Sequence, residues 1–148
     1  MIAQAYNWTC SVCSITWCLQ STHTIDPYKD VYDARYDVGS IMGYPNCVNP
    51  TYGCMSSDCV ADTFASFGYI TKRITTTFDG AYAICREFTG TINPQGMYHF
   101  MGIRGVIDND IWVANSAQGY RGVYDRLSRS QYNNLGPVEV IYLESHSA

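Results

Sequence analysis

Charged residues are scarce in this chain of 148 residues: aspartate, glutamate, lysine and arginine make up 15% of it, against about 25% in ordinary globular domains. The nine lysines and arginines are spread along the chain, and the formal net charge is −4. A basic stripe that could follow a phosphate backbone is therefore lacking, and nucleic acid is not an expected partner. Apolar runs near the ~18 residues that cross a bilayer are also lacking, so no membrane span is expected.

Other sequence signals are missing too. Residues 1–7 contain neither a basic segment nor a long apolar segment, so we expect that the chain has no secretory signal peptide. We therefore expect it to be synthesised in the cytoplasm. The chain has no phosphate-binding loop and no dinucleotide fingerprint, so we expect no cofactor. Internal repeats, low-complexity stretches and linker-like composition are absent as well, which favours a single domain over residues 1–148.

The apolar content, 47% of the chain, is enough for one core, and its pattern predicts helices followed by strands. Such a layout indicates an α+β fold in which N-terminal helices pack on an antiparallel sheet. Helices are predicted at Cys10–Ser21, Tyr28–Tyr36, Ser56–Phe67 and Phe78–Phe88. Strands are predicted at Tyr69–Thr77, Met97–Ile107, Ile111–Asn115 and Val138–Leu143, the second and third forming a hairpin.

The seven cysteines are an odd number, which does not favour a secreted disulfide framework and leaves one thiol for catalysis. Cys47, Cys54 and Cys59 lie in one loop-rich region and could form a disulfide outside a reducing cytosol, with the pairing open. Cys10 and Cys13 with Cys54 and Cys59 could be read as a zinc site, but the second spacing is too long for a zinc knuckle. We therefore expect no metal.

Cys10 is the best candidate for a nucleophile. It stands at the predicted N-terminus of an apolar helix, where unpaired N–H groups and the helix dipole lower a thiol pKa. A thiolate nucleophile also needs a histidine as its proton acceptor, and the chain has three. His146 lies near the C-terminus, where disorder is usual, and His23 is expected in a loop. His99 lies in a predicted strand, as a core residue or as an oriented base.

Two further residues complete a candidate site. Asn115 ends the strand predicted to pair with the one that carries His99, and it could hold the imidazole in one tautomer; it could equally begin a turn with Ser116. An oxyanion needs donors, and the backbone N–H of Cys10 with the side-chain amide of Gln4 could supply them. A glutamine near the N-terminus is otherwise usually solvated.

Together these residues resemble the papain-like cysteine peptidases, in particular the C39-like branch found in bacterial peptidases and bacteriophage cell-wall enzymes. The resemblance covers most of the chain and is weak between about 22 and 54. The stretches that carry it are Gln4-Ala-Tyr-Asn-Trp-Thr-Cys10-Ser-Val-Cys-Ser-Ile-Thr-Trp, Tyr98-His99-Phe100-Met101-Gly102-Ile103-Arg104-Gly105, Ile111-Trp-Val-Ala-Asn115 and Gly136-Pro137-Val138-Glu139-Val140.

The resemblance implies a papain-like fold with Cys10 as nucleophile, His99 as base, Asn115 as orienter and Gln4 in the oxyanion hole. Many members carry glycine after the nucleophile and aspartate as the third residue. Here these positions hold Ser11 and Asn115, and asparagine is itself common in papain-like enzymes.

The expected activity is hydrolysis of a peptide or amide bond through an acyl-thioenzyme. The expected substrates are peptides, with peptidoglycan stems or crosslinks mildly favoured and the cell wall or a phage virion or lysis component as the setting. A catalytically silent module that binds a peptide or cell-wall ligand is the alternative, and acyl transfer by the same residues also stays open. The oligomeric state does not follow from the sequence.

Overall fold

The computed structural model describes residues 9–29, 31–42, 47–49, 51, 53–54, 56–94, 99–116 and 123–146. Within these ranges the chain first forms two helices and a small β-ribbon, and then three more helices and the six strands of a larger sheet. In chain order the elements are α1 (Cys10–Ser21), α2 (Val31–Ile41), β1 (Val48–Asn49), β2 (Gly53–Cys54), α3 (Ser57–Ser66), β3 (Tyr69–Thr75), α4 (Phe78–Glu87), β4 (Gly90–Pro94), β5 (Met101–Ile107), β6 (Asp110–Asn115), β7 (Val123–Leu127), α5 (Arg129–Asn134) and β8 (Val138–His146).

The larger sheet has six strands in the order β3-β8-β4-β5-β6-β7, and every neighbouring pair is antiparallel. β8, the last strand in sequence, therefore lies between β3 and β4. The β5–β6 hairpin turns at Asp108, whose φ of 55° is in the left-handed region that aspartate tolerates in turns. The hairpin that the sequence predicts is thus present.

Two apolar cores lie on opposite faces of this sheet. One joins α1, α2 and α3 to Phe100 and to Ile141 and Leu143 of β8. The other joins α4 and α5 to residues of β4, β5, β6 and β8 that alternate with the first set, as the two-residue period of a strand requires. α1 is buried along almost its whole length and lies against β4 and β5. It is therefore the helix that packs on the two middle strands from this face of the sheet.

Several predicted boundaries differ from the structure. The helix predicted at Tyr28–Tyr36 begins and ends later, at Val31–Ile41. The strand predicted from Met97 begins only at Met101; residues 97 and 98 lie outside the described part. β4, β7 and α5 have no counterpart in the sequence prediction, because short buried strands and a six-residue helix carry too few residues for a clear period.

A disulfide between Cys47 and Cys59 ties the segment before β1 to the first turn of α3, with 5.7 Å between the two Cα atoms. This answers the pairing that the sequence left open; the side chain of Cys54 is outside the described part. Cys10, Cys13, Cys18 and Cys85 are free and buried. No helix among the described residues has both the length and the apolar character that a membrane crossing needs.

Candidate active site

Cys10 is the first residue of α1, and only 7% of its surface is exposed. The helix begins here because Thr9 has a non-helical backbone (φ −105°, ψ 16°) and the following residues include no glycine or proline. Ser14, one turn further, donates its Oγ–H to the carbonyl oxygen of Phe100 at 2.8 Å. This buried bond holds the first turn of α1 against the segment that leads into β5.

The thiol of Cys10 lies among backbone amides. The backbone groups of Phe100, Ser11 and Cys10 itself lie near its sulfur and favour the thiolate. Burial has the larger effect, however, and the pKa of the thiol is raised above its ordinary value. The expectation that the helix N-terminus would lower this pKa is therefore wrong for the resting protein, because desolvation outweighs the amide contacts.

His99 and Asn115 meet directly. His99 Nε2 lies 2.8 Å from Asn115 Oδ1, and because an amide oxygen only accepts, the ring nitrogen is the donor. In the neutral imidazole this bond places the proton on Nε2 and leaves Nδ1 as the acceptor, which is the form that a general base needs. Asn115 is buried and ends β6, as the sequence predicts.

His99 does not lie in a strand, contrary to the prediction from sequence, but two residues before β5. The pairing of β4 with β5 stops at Ile92 and Met101. Beyond it, the N–H of Phe100 contacts the Cys10 sulfur and its C=O accepts from Ser14. The backbone next to His99 is thus occupied by α1 rather than by a neighbouring strand.

Of the four predicted site residues, the structure joins His99 to Asn115 by a hydrogen bond and places Cys10 against the residue that follows His99. Gln4 lies outside the described residues, so its position stays a prediction. The other two histidines are elsewhere. His23 is exposed in the turn after α1. His146, expected in a disordered end, is ordered in β8, where its Nε2 lies 3.0 Å from the carbonyl oxygen of Phe67.

Sequence reasoning missed the contributions of Phe100 and Ser14. The role of Phe100 rests on its backbone, which no residue type reveals. Ser14 carries a weak signal: it is a polar residue four positions after Cys10, and residues four apart share a helix face. A buried serine within an apolar helix needs an acceptor, and the carbonyl of Phe100 supplies it.

Aromatic rings and arginines lie along the same side of the sheet as α1. The Arg104 guanidinium carbon is 3.9 Å from the centre of the Tyr124 ring, and Tyr124 contacts the edge of Trp17. Trp17 lies seven residues from Cys10, about 10 Å along the same helix face. We call the surface formed by Trp17, Arg104, Trp112, Tyr124 and Arg126 the aromatic–arginine face.

A cavity of about 730 Å³ lies on the other side of the sheet, where α4 and α5 begin. Phe78 and Tyr82 line it, together with the ion pair between Asp79 and Arg129. Neither His99 nor Asn115 borders it. Among the described residues, no group of three or more histidine, cysteine or acidic side chains is placed to hold a metal ion.

A scan against protein-family models found no match, and a search of curated proteins found none either. Among solved structures the chain is similar to a double-glycine-motif protease from an AMS/PCAT transporter, solved in complex with the leader peptide. The TM-score is 0.62 with 13% sequence identity, over 97% of this chain and 90% of that one. A likeness at this identity concerns the fold. It confirms the expected α+β, papain-like fold with helices packed on an antiparallel sheet.

Proposed function

We propose that this chain is a cysteine peptidase or amidase in which Cys10 is the nucleophile, His99 the base and Asn115 the residue that orients it. The observation that carries the proposal is the His99–Asn115 hydrogen bond of 2.8 Å, formed beside Phe100, whose N–H reaches the Cys10 sulfur. A neutral imidazole oriented by an amide, next to a thiol at a helix N-terminus, is the arrangement that thiol acyl transfer needs.

In the first half of the reaction, His99 Nδ1 takes the proton of the Cys10 thiol, and the thiolate attacks the carbonyl carbon of the scissile bond. The imidazolium is stabilised by Asn115 Oδ1, which accepts from Nε2–H. Because burial raises the pKa of the resting thiol, the proton transfers as the substrate binds rather than beforehand. The imidazolium then protonates the leaving amine, and the acyl group stays on sulfur.

In the second half, water replaces the amine, gives its proton to His99 and attacks the thioester. The tetrahedral intermediate then collapses, the C–S bond breaks, the acid product leaves and His99 returns the proton to the Cys10 sulfur. Both tetrahedral intermediates carry an oxyanion that needs donors about 3 Å away. We assign this role to the backbone N–H of Cys10 and to the side-chain amide of Gln4. The assignment of Gln4 rests on the sequence resemblance.

The proposed substrate is a peptide, and the similar transporter protease, which was solved with a leader peptide, supports this class. Among peptides we favour the stem or crosslink peptides of peptidoglycan as the substrate. The protein would then act on the cell wall, as a component of a phage virion or of a lysis system. The aromatic–arginine face begins two helical turns from Cys10 and offers rings and guanidinium groups to a bound chain. Carboxylates, which stem peptides carry, would pair with Arg104.

One observation favours the alternative of a silent binding module: burial raises the pKa of the Cys10 thiol, which lowers its reactivity. The deciding experiment uses a peptidyl thiol-directed electrophile at pH 8, followed by peptide mapping. We expect label on Cys10, loss of label in His99→Asn, and full labelling in the matched control His23→Asn.

Hydrolysis of isolated stem peptides should follow the same pattern across these variants. An electrophile that labels all free thiols equally, or a fully labelled His99→Asn variant, would contradict the proposal. Binding of the peptide without any labelling would instead support the silent module.

A further inference from the structure

The first turn of α1 carries a second thiol that the proposed reaction does not use. Cys13 is fully buried, reduced and three residues from Cys10. The two sulfurs are close enough for a negative charge on Cys10 to raise the pKa of Cys13. Paired thiols with two residues between them at a helix N-terminus are the arrangement of dithiol redox sites.

The geometry of a helix permits a bond between these two residues. Cα atoms three residues apart lie at about 5 Å in an α-helix, within the 4.4–6.8 Å that disulfides span. Their Cβ atoms, about 5–6 Å apart, must approach by about 1–2 Å to reach disulfide distance. The N–H groups of residues 10–12 have no carbonyl acceptor within the helix, so the shift strains only one backbone bond of this turn, from the N–H of Cys13 to the Thr9 carbonyl at 3.0 Å.

The neighbours of Cys13 suit it as an attacking thiol. The guanidinium of Arg35, on α2, hydrogen-bonds its sulfur, and so does the side chain of Thr9. Thr9 makes no side-chain cap to the helix. A cation beside a thiol favours the thiolate, which is the attacking form in disulfide exchange, although burial keeps the pKa of Cys13 raised overall.

We infer that Cys10 and Cys13 form a reversible redox site in which Cys13 resolves oxidised Cys10 as an intrahelical disulfide. Hydrogen peroxide is the oxidant. The Cys10 thiolate attacks one peroxide oxygen, the O–O bond breaks, hydroxide leaves and Cys10 becomes a sulfenic acid. The Cys13 sulfur then attacks the Cys10 sulfur, the S–S bond forms, and the sulfenic hydroxyl leaves as water with the Cys13 proton. Two thiols are oxidised and one peroxide is reduced to two waters.

The disulfide would have two consequences. It removes the nucleophile, so hydrolysis stops, and it keeps Cys10 from the irreversible sulfinic and sulfonic acids. A small-molecule dithiol would reduce it and restore the thiol. The loss of activity rests on the proposed function, whereas the bond itself does not.

The test oxidises the full chain with hydrogen peroxide, blocks remaining thiols, and maps disulfides by mass spectrometry under non-reducing conditions. We expect a Cys10–Cys13 bridge with the loss of two hydrogens, and complete reversal by dithiothreitol. The matched control is Cys18→Ser, which removes a thiol of the same helix whose sulfur donates to the Gly90 carbonyl instead, and it should still form the bridge.

In Cys13→Ser, Cys10 should accumulate sulfinic acid, and dithiothreitol should not restore labelling by the electrophile. Because this readout is mass rather than turnover, it stays informative if the protein proves to be a silent module. Sulfinic acid on Cys10 of the unmodified chain without a bridge, or a Cys10–Cys18 bridge, would overturn the inference. Far-ultraviolet circular dichroism confirms that each variant is folded.

Discussion

The side chain of Asn115 contributes one hydrogen bond to the candidate site, and its removal separates orientation from base catalysis. Asn115→Ala leaves the His99 imidazole without the acceptor for its Nε2–H. We expect kcat to fall by about tenfold or more, but by less than the ~10²–10⁴ that loss of a general base costs. Steady-state kinetics on a stem peptide measure the difference.

Asn109→Ala is the matched control for this variant, because Asn109 is exposed in the turn between β5 and β6. It should retain full activity. An Asn115→Ala variant as active as Asn109→Ala would show that the imidazole is held by other contacts.

Gln4 carries a second prediction at the residue scale. If its amide donates to the oxyanion, Gln4→Ala should lower kcat by about 10²–10³, the loss measured when one such donor is removed. KM should change little, because the oxyanion exists only during the reaction. Gln20→Ala, at an exposed glutamine contact near the end of α1, is the control. A rise in KM with unchanged kcat would assign Gln4 to substrate binding instead.

At the scale of elements, the packing of α1 on β5 depends on the absence of a side chain at Gly102. A Cβ there would lie 2.6 Å from Cε3 of Trp17. Gly102→Ala should therefore lower the free energy of unfolding by about 1–3 kcal/mol, the usual cost of overpacking. Urea denaturation followed by tryptophan fluorescence measures it.

Gly39 gives a control of opposite sign. It lies within α2, and an added Cβ would meet only Val12 at 3.8 Å, an ordinary contact. Gly39→Ala should stabilise the protein by about 0.5–1 kcal/mol, because alanine loses less backbone entropy in a helix. Equal effects at the two glycines would mean that α1 can move away from β5 without cost.

The elements show where reasoning from sequence succeeds. α1 and α4 follow closely from their composition and end signals, since both are local properties. The start of β5 does not, because it depends on Phe100 bonding to a helix eighty-odd residues earlier in the chain. The Cys47–Cys59 pairing depends likewise on the path of the loop. The His99–Asn115 pair was predictable as a pair because a hairpin brings both to one end.

At the scale of the whole molecule, buried thiols make stability depend on alkaline pH. Burial raises the pKa of Cys18 and of Cys85 to about 12, from an ordinary value of 9.0. The unfolded chain therefore loses these protons at a lower pH than the folded chain does. The free energy of unfolding consequently decreases as the pH rises above 9. We expect the free energy of unfolding to be insensitive to these thiols below pH 9. Between pH 9 and 12 it should fall by up to about 1.4 kcal/mol per pH unit for each.

Urea unfolding at a series of pH values from 8 to 11 tests this sign, with Cys85→Ala as the comparison because it removes one of the two thiols. The variant should lose stability less steeply with pH than the unmodified chain. A stability that rises through this range would mean that the thiols ionise more readily in the folded state.

The central position of β8 makes the core depend on a segment that follows α1 by most of the sequence. β3 and β4 are neighbours of β8 and not of each other, and Ile141 and Leu143 complete the core on which α1 rests. Until residues 138–146 have been added, β3 and β4 lack the strand that joins them, and α1 lacks two of the residues on which it packs, Ile141 and Leu143. Cys10 lies far ahead of β8 in the sequence, yet the core that holds α1 beside the backbone next to His99 is complete only with β8 in place. Under the proposed function, the thiol site would therefore be assembled only after β8 has been synthesised and paired.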